Sequence, residues 1–378
     1  MARGPMSVAD FMSQALQHPK HGYYTAKKHV IGKKGDFTTS PEISQLFGEL
    51  VGVWCVTIWE QLGKPPRIGV IEMGGGRGAL IKDVVRTFAS FPAFAASLSG
   101  IALVETSDAM RGLQAEALRA HDGFTRVGGA RVGVRWSPAL SEAWSASSLR
   151  EPVVVIAQEL FDALPVHQFE RTERGWCERL VTVGAAAEPD LDGLHHHLHF
   201  ALSPGPTPAA RLLLGDAPAE IGARVEVGAV AAALSQELSA GIAQRGGAAL
   251  IVDYGSDGDV ADSLRGIREH RFVHPLREPG FVDLSVDVNF ADVRAAAQSA
   301  GPPFARAVGP VPQASFLRAM GIEHRVAALL RQPHASEAQK LAVFRGYKRL
   351  VEDMGASYHV MALASLPDPF AKLAGLEP

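Results

Sequence analysis

Cysteine is nearly absent from this chain of 378 residues, which holds only Cys55 and Cys177. Two thiols cannot build a disulfide framework or a cysteine-rich zinc site, and they fit a reducing compartment. A charge excess of either sign is missing as well. The 37 Lys and Arg against 40 Asp and Glu leave −3, with a pI near 6.5. Such a balance gives no basic footprint for sequence-independent binding of nucleic acid. The longest uncharged apolar stretch near the N-terminus, Leu50–Trp59, is too short to cross a bilayer, so no membrane insertion is expected. Met1–Val8 contains a single basic residue, Arg3, and shows neither a secretory signal nor an Arg-rich transit peptide. Internal repeats and long low-complexity tracts are absent. So are G-x-S-x-G, H-E-x-x-H and G-x-x-x-x-G-K-[ST], which argues against serine hydrolase, zincin and P-loop chemistry.

What remains is a composition that buries a core, 47% apolar and 20% charged, as expected of a soluble globular protein. The length suggests two domains of roughly 100–200 residues, or one large domain with an insertion. Val8–Leu16 reads as a short amphipathic helix, followed by a Gly- and Lys-rich loop over Gly22–Gly35 that includes Lys33 and Lys34. Ser40-Pro41-Glu42 reads as a helix start, with a capping hydroxyl, Pro in the first turn and a carboxylate at the positive end of the dipole. Ile43, Leu46, Phe47, Leu50, Val51, Trp54 and Ile58 then form one apolar stripe, ended by Gly63 and Pro65-Pro66. From Arg67 the pattern becomes strand–turn–helix. Short apolar runs at Arg67–Met73, Ile101–Glu105, Val153–Ala157 and Ala248–Asp253 alternate with helices, which predicts a mostly parallel sheet covered on both faces. Trp176–Val183 and Leu194–Leu202 read as strands of an insertion, and a helix over Val227–Gln244 returns to the sheet. Loops over Arg265–Pro279 and helices near Phe290–Ala300, Phe316–Leu330 and Glu337–Glu352 complete the reading. The domains expected are a helical N-terminal cap over 1–64, a core over 65–163 and 246–378, and a strand-rich insertion with its return helix over 164–245.

The sharpest local signal is Glu72-Met73-Gly74-Gly75-Gly76-Arg77-Gly78-Ala79, which closes a strand and opens a helix. Glycines there let the backbone turn tightly beside a ligand, and the helix N-terminus offers free N–H groups. Gly74, Gly76 and Ala79 fit a dinucleotide fingerprint and hence a nicotinamide-dependent oxidoreductase, although no Tyr-x-x-x-Lys accompanies them. Glu72 through Gly78 equally fit the E-x-G-x-G-x-G turn of class I methyltransferases. A turn that binds nothing is the third reading. Glu105, at the end of the second strand, stands where open α/β sheets offer a carboxylate to ribose hydroxyls, or is simply a solvated strand end. Glu159 and Asp162, after the third strand, could grip a planar guanidinium, while Asp162 could instead cap the segment that follows. His195, His196, His197 and His199 suggest a metal tract but read as a solvated hairpin, and no metal is expected. Asp253-Tyr254-Gly255 closes the fourth strand, lining the site or merely turning.

Longer segments carry a resemblance. They are Gly35-Asp36-Phe37-Thr38-Thr39-Ser40-Pro41-Glu42-Ile43-Ser44-Gln45-Leu46-Phe47-Gly48-Glu49, Val104-Glu105-Thr106-Ser107, Glu159 through Phe169, Asp253-Tyr254-Gly255, Pro279 through Leu284 and Gly309 through Gln313. Together they span about Ser7 to Pro367, and the chain resembles the MidA family. Ser256-Asp257-Gly258 and Leu264-Arg265-Gly266 look closest to its mitochondrial branch. The resemblance implies a class I methyltransferase fold, a Rossmann-like α/β sheet, and S-adenosyl-L-methionine as cofactor. For the mitochondrial branch it implies symmetric dimethylation of an arginine on the 49 kDa subunit of complex I, in the mitochondrial matrix, during assembly. By motif, Gly74, Gly76 and Gly78 would approach the cofactor, Glu105 would hold its ribose, and Thr39, Ser40 and Glu42 would belong to a segment closing over it. Glu159, with Asp162, would orient the substrate guanidinium. The family usually has Pro between the first two glycines, where this chain has Gly75; no ligand contact is lost by that. A non-catalytic assembly chaperone that binds the same cofactor is the rival of a different class. The oligomeric state stays open.

Overall fold

The computed structural model describes residues 4–26, 39–145, 151–184, 197–258, 260–299 and 301–376. Most of the Gly22–Gly35 loop, with Lys33 and Lys34, and also His195 and His196, lie outside the described residues. The chain folds into two compact units, one of 38–160, 234–255 and 292–378, the other of 1–37, 161–233 and 256–291. This partition corrects the expected one. Residues 1–64 do not form a single cap, because strand Met6–Ser7 pairs antiparallel with strand Gly175–Val183, whereas the segment from Thr38 onward belongs with the core. Residues 256–291, expected in the core, also fall in the strand-rich unit.

The core unit is built on β1 (Ile68–Met73), β2 (Leu98–Val104), β3 (Phe124–Val127), β4 (Ala130–Ser137), β5 (Val153–Gln158), β6 (Gly247–Ser256), β7 (Arg306–Pro312) and β8 (Tyr358–Ser365). They lie in the order β7-β8-β6-β5-β1-β2-β4-β3. The five from β6 to β4 are parallel, β8 runs antiparallel to both β6 and β7, and β3 is antiparallel to β4. Every residue of β1 and β5 is buried, as the continuous apolar runs require of central parallel strands. The chain leaves β1 toward β2 on one side and reaches β5 on the other. The crevice at the carboxyl ends of β1 and β5 is therefore a switch point, where such sheets bind ligands.

Three helices matter for the site: α1 (Gln45–Gln61), α2 (Ala79–Phe88) and α3 (Asp108–Ala117). The expected helix from Ser40 is two pieces. Ser40–Ile43 forms one turn with Thr39 at its N-cap position and no side-chain cap; Ser44 then turns extended, and its hydroxyl accepts the Leu46 amide to start α1. Nor is α1 a one-stripe helix. Leu46, Phe47, Leu50, Val51, Trp54, Cys55, Ile58 and Trp59 are all buried, as are Gly48 and Gly52. Those glycines let α2 come close: a Cβ on Gly48 would lie 2.6 Å from Asp83 Cβ, and one on Gly52 2.8 Å from Thr87 Cβ. Glu49, buried in the same helix, is held by Arg325 at 2.7 and 3.0 Å and by Arg86 at 3.0 Å. A buried carboxylate stays affordable only when paired in this way. The helix expected over Phe316–Leu330 is likewise split, into Gln313–Ala319 and Ile322–Leu330, at left-handed Gly321.

The second unit is strand-rich. Gly175–Val183 pairs with Met6–Ser7, His167–Thr172 and Leu198–Leu202, and His167–Thr172 pairs with Arg224–Val227, all antiparallel. Phe169, Trp176 and Ala210 form one small buried cluster in it. Arg265–Pro279, expected as loop, contains a hairpin of Arg265–Arg268 and Arg271–Val273, with Glu269 and His270 both at positive φ in its turn. Among the described residues no helix is long and apolar enough to cross a membrane.

Candidate active site

The turn after β1 has the conformation its glycines predict. Gly74, Gly76 and Gly78 have φ of 65°, 50° and 81°, a region that costs an L-residue on the order of 1 kcal/mol. Space is as limiting as conformation. A Cβ on Gly74 would lie 2.9 Å from Leu160 Cδ1, and one on Gly78 3.1 Å from Ala117 Cβ and Gln114 Cα. The Gly74 amide is tied to the Val104 carbonyl at 3.0 Å, which places the turn against the end of β2.

Glu105 follows β2 directly. One of its carboxyl oxygens accepts the Ser107 amide at 2.8 Å, the other the Gln114 amide nitrogen at 3.1 Å. Burial raises its pKa, while these donors pull it back. Gln114, on α3, was not singled out by sequence, yet it is fully buried and joins three elements. Its Nε2 also donates to the Gly76 carbonyl at 2.8 Å, and its Oε1 accepts Trp136 Nε1, from β4, at 2.9 Å. A glutamine on a helix has no sequence signature for such a role; only the three-dimensional bond pattern reveals it.

Beyond β5, Glu159 is a non-glycine residue at φ 48°. Its amide donates to the Val252 carbonyl of β6 at 2.9 Å. Its Oε1 accepts the Ser40 amide at 3.0 Å and Gln158 Nε2 at 2.8 Å. Ser40, fully buried, is braced in turn, with its hydroxyl 3.4 Å from Gln313 Oε1 and Gln313 Nε2 donating to the Leu350 carbonyl at 2.9 Å. Left-handed backbone at a residue with a functional side chain is the kind of strain that active sites hold. The structure thus brings Ser40 to Glu159, with Thr39 and Glu42 half-buried on the same turn.

Asp162 belongs to the other unit. It lies in the short helix Phe161–Ala163, its carbonyl accepts the Val286 amide at 3.0 Å, and its charge, with that of Asp283, helps burial raise the Tyr24 pKa well above 10. Tyr24 donates to Asp283 at 3.0 Å. Asp253 does not end β6, which runs on to Ser256; it is fully buried, and its carboxyl accepts the Tyr254 amide at 2.9 Å. Among the described residues no group of three or more His, Cys, Asp or Glu is placed to hold a metal ion.

Residues 50–308 match a family of S-adenosyl-L-methionine-dependent methyltransferases, the MidA-like group. The chain belongs to that family. Among curated relatives, the mitochondrial protein arginine methyltransferase NDUFAF7 of Danio rerio is 38% identical over 96% of this chain and 84% of its own, and that of Homo sapiens 34% over 95% and 80%. A COG1565 superfamily member from Burkholderia thailandensis, solved with S-adenosyl-homocysteine bound, superposes with a TM-score of 0.77 at 26% identity, covering 99% of this chain and 91% of that one. The family member described here is therefore an enzyme that takes S-adenosylmethionine. The residues fit such a cofactor. The left-handed glycines leave open backbone, and Glu105 stands directly after β2, where such sheets meet ribose hydroxyls.

Proposed function

We propose that the protein is an S-adenosylmethionine-dependent protein arginine methyltransferase that symmetrically dimethylates an arginine of the complex I 49 kDa subunit in the mitochondrial matrix during assembly. Support comes from the arginine methyltransferase names of relatives 33–38% identical over at least 94% of this chain. The observation that carries the chemistry is Glu159, strained and held by two donors at a strand end.

The cofactor supplies an electrophilic methyl group. The protein's own task is to present a guanidinium nitrogen at near-attack distance, an effect worth about 7–11 kcal/mol at best. A protonated guanidinium is a poor nucleophile. In this proposal the Glu159 carboxylate pairs with the guanidinium and draws its positive charge away from the attacking nitrogen. A cofactor held by the glycine turn would supply the methyl group, and the guanidinium nitrogen that takes it would pass one proton to solvent. Gly74, Gly76, Gly78 and Glu105 hold the cofactor, and Thr39, Ser40 and Glu42 close the segment beside Glu159. Asp162, in the other unit, is given no part in this step.

The test is to incubate the purified protein with S-adenosylmethionine and the 49 kDa subunit and to map methyl groups by mass spectrometry. Two methyl groups on separate nitrogens of one arginine are expected. Methylation of another residue type, or none while the cofactor binds, would refute the substrate assignment.

A further inference from the structure

Glu72, the last but one residue of β1, is 1% exposed, and neither of its carboxyl oxygens has a hydrogen-bond partner among the described residues. It sits under the glycine turn. A Cβ on Gly75 would lie 2.3 Å from Glu72 Oε2 and 2.7 Å from its carboxyl carbon, so the residue that departs from the family's usual Pro makes room for this group. A buried carboxyl lacking donors costs far more when ionised than when neutral.

The charged groups around Glu72 do not neutralise it. Glu105, facing it from beyond β2, raises its pKa further, on top of the burial that already raises it, to about 8. The Ile81 amide of α2 pulls weakly the other way, without a hydrogen bond of normal geometry. Arg77 and Lys82 on the turn and α2 are exposed, and Asp83 is paired with Arg86. Arg111 on α3 donates to the Glu105 carbonyl at 2.9 and 2.6 Å. Glu159, beyond the neighbouring β5, is held by Ser40 and Gln158.

We propose that Glu72 couples cofactor binding to proton release: its carboxyl is neutral in the ligand-free protein and ionises when a cationic ligand enters the turn. The O–H bond of the acid breaks, the proton passes to solvent, and the carboxylate left behind balances the ligand's positive charge. Ligand affinity then depends on pH through a group that need not touch the transferred methyl. The inference rests on the family's cofactor and is independent of the arginine substrate.

The probe is S-adenosylhomocysteine, whose ammonium is cationic and which carries no methyl to transfer. Calorimetric titrations at pH 7 in two buffers of different ionisation enthalpy give the protons released per ligand bound. Wild type should release about one proton more than Glu72→Gln, and the ligand's own ionisation cancels in that difference. Wild-type affinity should rise about tenfold per pH unit from pH 6 toward 8 and then level off, whereas the variant's should stay flat. Equal proton release by both proteins overturns the proposal and leaves the cofactor assignment standing. No binding to folded wild type overturns both. Should Glu72→Gln fail to fold, Gly75→Ala displaces the same carboxyl, and an unchanged pH dependence in that variant would equally overturn the idea.

Discussion

Two turns leave adjacent strands at the same edge of the core sheet, and they handle a left-handed backbone and a carboxyl in opposite ways. After β1 the positive-φ positions are glycines, and the carboxyl, Glu72, is tucked beneath them without a donor. After β5 the positive-φ position is itself a glutamate, half-buried and gripped by two N–H groups. The first turn makes backbone available to a ligand by having no side chains; the second accepts on the order of 1 kcal/mol of strain to aim one side chain. A binding loop and a reacting group thus ask different things of the same backbone region.

The contrast breaks most sharply at Glu159. Glu159→Gln should lower kcat by about 100- to 1000-fold while S-adenosylmethionine affinity in calorimetry changes less than about threefold; a parallel loss of affinity would make Glu159 part of the cofactor cradle instead. Next in size is the pH dependence of stability in the ligand-free protein. The Glu72 pKa near 8 exceeds that of an unfolded glutamate, so the native state holds the extra proton. Its stabilising contribution is full below about pH 4 and is lost as pH rises toward and through 8, by a few kcal/mol. Chemical denaturation across that range should show the decline, and Glu72→Gln should flatten it. Gly74→Ala sharpens the comparison from the other side. A Cβ at φ 65° against Leu160 should cost about 1–2 kcal/mol in denaturant melts and weaken the cofactor at least about tenfold. The smallest effect is expected for Glu159→Gly, which should leave stability within about 1 kcal/mol of wild type, because relief of left-handed strain offsets the lost hydrogen bonds. A large loss of stability there would mean that the Ser40 and Gln158 bonds hold the edge together rather than aim a reactive group.

The elements legible in the sequence were those with one cause. β1, β2, β5 and β6 are central, buried runs, and their positions follow from continuous apolar stretches. β3 and β4 were missed because Arg126, Arg131 and Arg135 interrupt them near the sheet edge, where one face meets water. β7 was hidden by Gly309, Pro310 and Pro312, which an edge strand tolerates and a central strand would not. The helix expected in one piece from Ser40 broke at Ser44 because propensity does not report a cap placed four residues late. At the candidate site, the left-handed turn of the glycines and the place of Glu105 after β2 were readable from position alone. Gln114, Gln158 and Gln313 were not, since a neutral amide acquires its role only from the partners that folding brings to it.

β8, made after both of its neighbours, lies between β6 and β7 and not at an edge. Until Tyr358–Ser365 has been synthesised, β6 has an open flank of unpaired peptide groups and β7 has no neighbour on that side. Between the synthesis of β6 and that of β8, about 100 residues later, the nascent chain therefore carries a template for wrong strand pairing. Rapid completion of the C-terminal hairpin would close that flank. Substitutions within β8 should then reduce soluble expression more than they reduce the stability of molecules already folded.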